Sequence, residues 1–240
     1  MSYLFNTFLY QPIINVLVFL YNTVALGDLG LAIIMLTVLV RLCLSPMYHK
    51  MLHQQAITKK IGPEMRKIQE EYKGDKEKQT LLIMELYKKH KINPFYTFLV
   101  LLIQLPILWA LFRAFSKGLN GGVSDVIYPF LTDPGTFNNI AFGVLNLNER
   151  NILLIVLTAV AQFIQTKISS PAPDKGGKPA MPGASGNVMG GMLALFSAFI
   201  LWGLPSAVAV YWLTTTLFSI GQQFICNKSI RNAELKGNDN

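Results

Sequence analysis

The chain has 240 residues, of which 52% are hydrophobic and 14% charged, with a net charge of +8. Soluble domains carry about a quarter charged residues, so an ordinary soluble globule, a disordered chain and a disulfide-stapled secreted module are all excluded. One charged residue, Asp28, falls between Met1 and Val40, whereas seventeen fall between Lys50 and Lys91, the distribution of an integral membrane protein with one concentrated polar lobe.

Residues 1–28 are predicted to form an N-terminal amphipathic helix in the membrane interface. Within Phe8–Leu26, the residues Gln11, Asn15 and Asn22 fall on one helical face, the pattern of a helix lying at the headgroups. The same stretch is apolar enough to cross, so a spanning placement stays open beside it. Residues 29–47 form the first predicted span, interrupted by Arg41 and stopped by Ser45-Pro46. It meets the requirement of about 20 apolar residues for a bilayer core.

Residues 48–93 are predicted to be a cytoplasmic helical hairpin. Ile61, Met65, Ile68 and Tyr72 keep a helical spacing, with Gly62-Pro63 starting or kinking that arm. Lys73-Gly74-Asp75-Lys76 is a turn signal, and Glu77–His90 supplies a second arm with Leu82, Ile83, Leu86 and Tyr87 to face the first. The Lys- and Glu-rich outer faces fit simple solvation, and equally contact with anionic lipid headgroups or a nucleic-acid-rich partner.

Residues 94–115 are the second span, and 116–150 an extracytoplasmic segment resting on the outer face, with a turn at Asp133-Pro134-Gly135. Residues 151–168 are the third span. Residues 169–188, rich in Pro, Gly, Ser and Lys, form a flexible cytoplasmic loop. Residues 189–226 hold the fourth and fifth spans as a hairpin through Gly203-Leu204-Pro205-Ser206, and 227–240 are a cytoplasmic tail. The fold class is therefore an all-α membrane protein: a five-span helical bundle with an N-terminal interfacial helix and a cytoplasmic helical hairpin. Cys43 and Cys226 both lie in apolar runs and read as membrane-embedded thiols.

Orientation follows from Lys and Arg in the short loops. With five spans, 17 of the 21 fall on one side: eleven in 48–93, then Lys167, Lys175 and Lys178, then Lys228, Arg231 and Lys236. That side is the cytoplasm, which puts the C-terminus inside and the N-terminus outside.

Arg41 is the basic residue that falls well inside a span. On insertion scales a central Arg costs about 2.5–3.5 kcal/mol. Two readings stand. Its long side chain snorkels to the cytoplasmic headgroups, or it faces a water-filled cavity within the bundle. The second requires polar company on other spans, and Gln104, Gln162, Gln165, Thr214, Thr215, Thr216 and Gln222 provide it, beside Tyr211 and Trp212. One such group alone reads as a helix–helix hydrogen bond worth about 0.6 kcal/mol. Gathered around an Arg, with no Asp or Glu in any of the five spans, they indicate a hydrated, net positive pocket. Such a pocket suits acidic or polar peptide better than cations, and an ion pump or proton relay would need an intramembrane carboxylate.

Other chemistry has little support. There is no G-x-x-x-x-G-K-[ST], G-x-S-x-G or H-E-x-x-H motif. His49 and His53 have a metal-capable spacing but no accompanying Cys or carboxylate motif. No enzyme activity, cofactor, metal or direct DNA binding is expected.

Three stretches carry a family resemblance. They are Gly30-Leu31-Ala32-Ile33-Ile34 with Thr37, Arg41 and Pro46; Lys91-Ile92-Asn93-Pro94 followed by Leu102-Ile103-Gln104-Leu105-Pro106-Ile107; and Leu201-Trp202-Gly203-Leu204-Pro205-Ser206-Ala207 with Tyr211-Trp212 and Gln222-Gln223. In this order, over nearly the whole chain, they resemble the YidC/Oxa/Alb family of membrane protein insertases. The resemblance implies a hydrophilic groove open to cytoplasm and lipid and closed to the outside, in the bacterial cytoplasmic membrane. Its occupants would be nascent membrane protein clients, with the hairpin and tail contacting client or ribosome and a Sec-type translocon as a further partner. The large extracytoplasmic domain of many members has no counterpart here, so a minimal form is expected. Arg41 is then the groove charge, with Thr37, Tyr211 and Trp212 lining or bordering it by matching position. Gln104, Gln162, Gln165 and Thr215 join this client-binding set from their own span positions. The competing classes are a small-solute transporter, which would favour inverted repeats and broken helices at the midplane, and a structural scaffold for other membrane subunits.

Overall fold

The structure, a computed structural model, describes residues 3–93, 95–169 and 186–238, with side chains for 3–93, 102–119, 121–169 and 191–229. Most of the loop expected at 169–188 lies outside the described residues.

Helix α1 covers Tyr3–Thr23 and contains one wide, π-type turn over Asn6–Tyr10. Helix α2 covers Leu29–Cys43. Asp28 starts it as an N-cap, accepting the Leu31 N–H at 2.9 Å. Helix α3, Ser45–Lys60, follows at once but is bent by 67° from α2. The expected continuous span over 29–47 is thus broken after Leu44. The reason is Pro46, which has no N–H to extend the α2 ladder but is well suited to the first turn of a new helix.

Helices α4, Gly62–Glu71, and α5, Lys76–Lys89, form the expected hairpin. Ile61, Leu86 and Ile92 are its buried centre, with Met65, Ile68 and Tyr87 packed around them. Asp75 caps α5 by accepting the Lys78 N–H at 2.9 Å. Gln54 of α3 clips the exit of the hairpin: it donates to the Lys91 carbonyl at 3.3 Å and accepts the Asn93 N–H at 2.9 Å.

Helix α6 covers Phe95–Asn120 with Pro106 inside it, α7 covers Ile152–Ser169, α8 Gly186–Trp202 and α9 Ser206–Asn238. The last runs well beyond the expected end of the fifth span at 226, into the predicted tail. The core joins α1, α2, α6 and α9 through Ile14, Leu17, Leu29, Ile33, Leu36, Leu111, Phe115 and Val208. By contrast α7 and α8 turn Leu153, Val156, Val160, Leu195, Phe196 and Phe199 outward. An apolar exterior of this extent is stable against hydrocarbon, not water.

Each of the five expected spans falls on helix. By length and composition, three helical segments among the described residues qualify as membrane-crossing: Tyr3–Thr23, Leu102–Leu119 and Ile152–Ser169. The bent pair α2–α3 raises the number to four, and Gly191–Trp202 is a shorter apolar helix. Two features bear on the placement of the first helix. Helix α1 has the length and apolarity of a span. Its polar stripe also bonds protein: Asn15 donates to the Val126 carbonyl at 2.9 Å and accepts the Tyr128 N–H at 2.6 Å, and Asn22 donates to the Thr132 carbonyl at 2.7 Å.

Those partners belong to the segment between α6 and α7, which caps one end of the bundle. It contains a small antiparallel hairpin, β1 Ile140–Ala141 with β2 Leu145–Asn146, that the sequence did not announce. Its turn places Phe142 and Gly143 at positive φ, 53° and 71°, as a tight hairpin turn demands. Asp28 holds this turn with its second oxygen, which accepts the Phe142 N–H at 2.6 Å. Val123, Ala141 and Leu147 are fully buried beneath it.

Candidate functional site

Five helices enclose a cavity of about 630 Å³. Helix α2 contributes Arg41, α3 contributes Tyr48, Met51, Leu52 and Gln55, α6 contributes Gln104 and Leu108, and α7 contributes Gln162, Gln165 and Ser169. Helix α9 contributes Tyr211, Trp212, Thr215, Thr216, Ser219 and Gln222. None of these side chains is acidic, so the cavity carries one positive charge among neutral amides, hydroxyls and apolar groups.

Arg41 lies twelve residues into α2, about 18 Å along it at 1.5 Å per residue, past the middle of a core about 30 Å thick. It is 3% exposed. One guanidinium nitrogen, Nη2, donates to the Ser219 hydroxyl and, at 3.5 Å, to the Thr215 carbonyl. The Tyr48 ring lies over the guanidinium with its centroid 3.8 Å away, and Phe218 stands at 5.6 Å. Tyr48 in turn donates from its hydroxyl to Gln104 Oε1 at 3.1 Å, and the Gln104 amide donates to the Tyr211 hydroxyl. Gln222 reaches the Ser45 hydroxyl at 3.3 Å. Arg41 Nε, Gln55 Oε1 and Gln222 Oε1 are buried without a protein hydrogen bond. Leaving such a group unpaired costs about 1–3 kcal/mol, so the lining is built to bond polar matter that enters, whether water or peptide.

Seven of the eight residues singled out in the sequence come together here: Arg41, Gln104, Gln162, Gln165, Tyr211, Trp212 and Thr215. Thr37 does not join them. It is buried one turn earlier on α2, and its hydroxyl donates to its own helix at the Ile33 carbonyl, 2.6 Å away. Sequence reasoning passed over Tyr48, Gln55 and Ser219. Ser219 is four residues beyond Thr215 on the same helix, a face-keeping spacing, whereas Tyr48 and Gln55 lie beyond the bend, on α3. Tyr48 and Gln55 fall in the stretch 48–93 that the sequence assigns to the cytoplasmic hairpin, beyond the predicted span 29–47.

The end of the bundle away from α3 is shut. The 118–150 segment is tied to the start of α9 by Ser206, whose N–H and hydroxyl both bond the Glu149 carbonyl, at 2.8 and 2.6 Å. Ala207 donates to the Leu147 carbonyl at 3.1 Å. Phe137 closes onto Gly118, donating to its carbonyl at 2.9 Å, and its ring packs 4.9 Å from that of Tyr21.

Fold and site together define an α-helical membrane protein with a polar, positively charged groove that is capped at one end. The chain belongs to the 60Kd inner membrane protein family, whose model matches residues 19–233. It is 31% identical over 228 residues to the membrane protein insertase YidC of Fusobacterium nucleatum, covering 92% of this chain and 98% of that one. The YidC of Wolinella succinogenes is 32% identical over 234 residues, covering 95% of this chain and 39% of its own length. A solved structure of an active YidC insertase, with its first transmembrane domain resolved, superposes with a TM-score of 0.61 at 25% identity, over 88% of this chain and 45% of that one. The chain thus spans nearly all of one relative and less than half of the two others.

Proposed function

We propose that this chain is a membrane protein insertase and chaperone that works passively, without nucleotide, by offering clients a hydrophilic groove open to cytoplasm and lipid. The observation that carries the reading is a single arginine in a cavity with no acidic lining, beneath a cap that seals the opposite end.

The physics is that of a shortened barrier. Moving a polar segment through hydrocarbon costs several kcal/mol per unpaired group. A polar groove partway across reduces the apolar distance that remains. Arg41 offsets part of the desolvation of an outward-going acidic or polar segment by direct attraction in a medium of low dielectric. The client's apolar helix then leaves sideways into lipid, driven by about 25 cal/mol for each Å² removed from water. Gln104, Gln162, Gln165, Tyr211, Trp212 and Thr215 line the path, and Thr37 borders it.

The location that suits this reading is the bacterial cytoplasmic membrane. The 17 basic residues that share one side favour a cytoplasmic C-terminus and an outer N-terminus. Helix α1 would lie along the outer interface, beneath the segment it hydrogen-bonds. Clients are nascent membrane proteins, and the basic hairpin faces the side from which a ribosome or a Sec-type channel would deliver them.

The test uses the purified full chain in sealed vesicles without nucleotide, given a radiolabelled single-span client. Protease protection of the client's outer segment in protein-containing but not protein-free vesicles supports the reading. Photocrosslinkers at Gln104 and Thr215 should then capture the client. Equal protection in both vesicle preparations would refute it.

A further inference from the structure

Arg41 is two residues from the end of α2, and its side chain is long. Arginines so placed normally extend toward the headgroups, where the charge is hydrated. Here the guanidinium stays inside the bundle at 3% exposure, and what blocks its exit can be read from the packing. The 67° bend after α2 turns α3 across the base of the cavity. That turn brings Tyr48 back over Arg41, ring centroid 3.8 Å from the guanidinium carbon, a distance at which an arginine and an aromatic face attract. Tyr48 is 6% exposed and is itself held: its hydroxyl bonds Gln104 on α6, and Gln104 bonds Tyr211 on α9. Four helices therefore contribute one residue each to a chain that begins at the charge.

We propose that Tyr48 is the positioning residue of the groove. By stacking on Arg41 it closes the route to the cytoplasmic headgroups and keeps the charge where a passing segment meets it, and the Gln104–Tyr211 pair keeps the Tyr48 ring in that pose. The consequence for clients rests on the insertase reading, whereas the consequence for Arg41 itself does not. The ring does the stacking, and the hydroxyl is secondary. Phe in place of Tyr48 therefore retains most of the effect, while Leu, similar in bulk but without a π face, does not. A role in simple packing would rank these two replacements nearly alike, since Leu fills an apolar gap nearly as well as Phe.

The experiment has two arms on the full chain in sealed vesicles. The first treats wild type, Tyr48→Phe and Tyr48→Leu with a water-soluble, arginine-selective dicarbonyl and follows each arginine by mass spectrometry. Arg41 should be nearly unreactive in wild type and Tyr48→Phe and several-fold more reactive in Tyr48→Leu, with Arg231, on the basic side to which the groove opens, unchanged as an internal standard. The second compares insertion of two clients that differ only in whether the outer segment carries acidic or neutral polar residues. The preference for the acidic client should fall in Tyr48→Leu to the level of Arg41→Ala, and persist in Tyr48→Phe. An unreactive Arg41 in Tyr48→Leu, or a Tyr48→Phe variant that behaves like Tyr48→Leu, overturns the proposal. Should Tyr48→Leu fail to accumulate, Tyr48→Met takes its place: it too removes the π face, so Arg41 reactivity should rise measurably, and no rise overturns the proposal. If Arg41→Ala itself leaves client preference intact, the insertase reading of Arg41 fails while the first arm still judges the positioning role.

Discussion

Ser206 and Glu149 are joined twice, the Ser206 N–H and hydroxyl both donating to one carbonyl at 2.8 and 2.6 Å. The first residue of α9 is thereby fixed to the last part of the cap, and Ser206 is 1% exposed. Ser206→Ala removes the hydroxyl but leaves the N–H to satisfy the carbonyl. The expected loss is that of one net hydrogen bond, about 0.5–1.5 kcal/mol. It is measured as a lowered midpoint in urea unfolding of the detergent-solubilised chain, and an unchanged midpoint would count against this tie.

Asp28 performs two tasks with its two oxygens, capping α2 at the Leu31 N–H and holding the β-hairpin at the Phe142 N–H. Asp28→Ala loses both and should cost about 2 kcal/mol, combining a helix cap and the hydrogen bond that holds the hairpin turn. Asp28→Asn keeps one acceptor oxygen and should lose roughly half as much. The same unfolding measurement ranks the two, and equal losses would contradict the division of labour.

Gly118 is the point where α6 receives the cap. A methyl group built there would meet the Phe137 ring. Gly118→Ala should therefore cost about 1–3 kcal/mol, the usual penalty of overpacking. Combining it with Phe137→Leu should recover part of that loss, so the double-mutant cycle has a coupling energy of favourable sign. Additive losses would show that the two sites do not touch.

Lys117 and Asp125 form an ion pair where α6 meets the cap. The hydrogen bond from Lys117 is the main cause that holds the Asp125 carboxyl below the usual carboxylate range. A depressed carboxyl stabilises the fold above its unfolded-state value, near pH 4, and loses that contribution as pH falls through the lower, folded-state value. Both side chains are solvent-accessible, so the contribution is at most about 1 kcal/mol. Comparing the wild type with Asp125→Asn from pH 7 to pH 3 should give a small stability gap that closes below pH 4. A gap that widens on acidification would reverse the sign assigned here.

Most of the groove was legible because its residues are conspicuous where they stand. An arginine in an apolar run, and amides at Gln104, Gln162 and Gln165, announce themselves in a membrane helix. The hairpin stripe at Ile61, Met65 and Ile68 was legible for the same reason, as a periodic apolar signal in a charged segment. What was not legible depends on a bend. Pro46 signals that α2 stops, but not that α3 turns by 67° and returns Tyr48 and Gln55 to the cavity. Thr37 stands one turn from Arg41 without joining the cavity lining. A hydroxyl near Arg41 in sequence looks like groove, yet a threonine on a helix can satisfy itself on the carbonyl four residues back. The partners of the α1 polar stripe were not legible either. Periodicity places Asn15 and Asn22 on one face, but only the long-range fold puts residues 126–132 against it.

The most direct test of the account is the insertion of a matched pair of clients by Arg41→Ala in sealed vesicles, one client with an acidic outer segment and one with a short, uncharged outer segment. The groove charge acts on the first alone. Arg41→Ala should lower its insertion by about tenfold, or 1.4 kcal/mol, well within the roughly 4 kcal/mol that opposite charges 4 Å apart gain at an effective dielectric of 20. Insertion of the second should stay close to wild type. Undiminished insertion of the acidic client, with the protein folded and the uncharged client unaffected, would contradict the role given to Arg41.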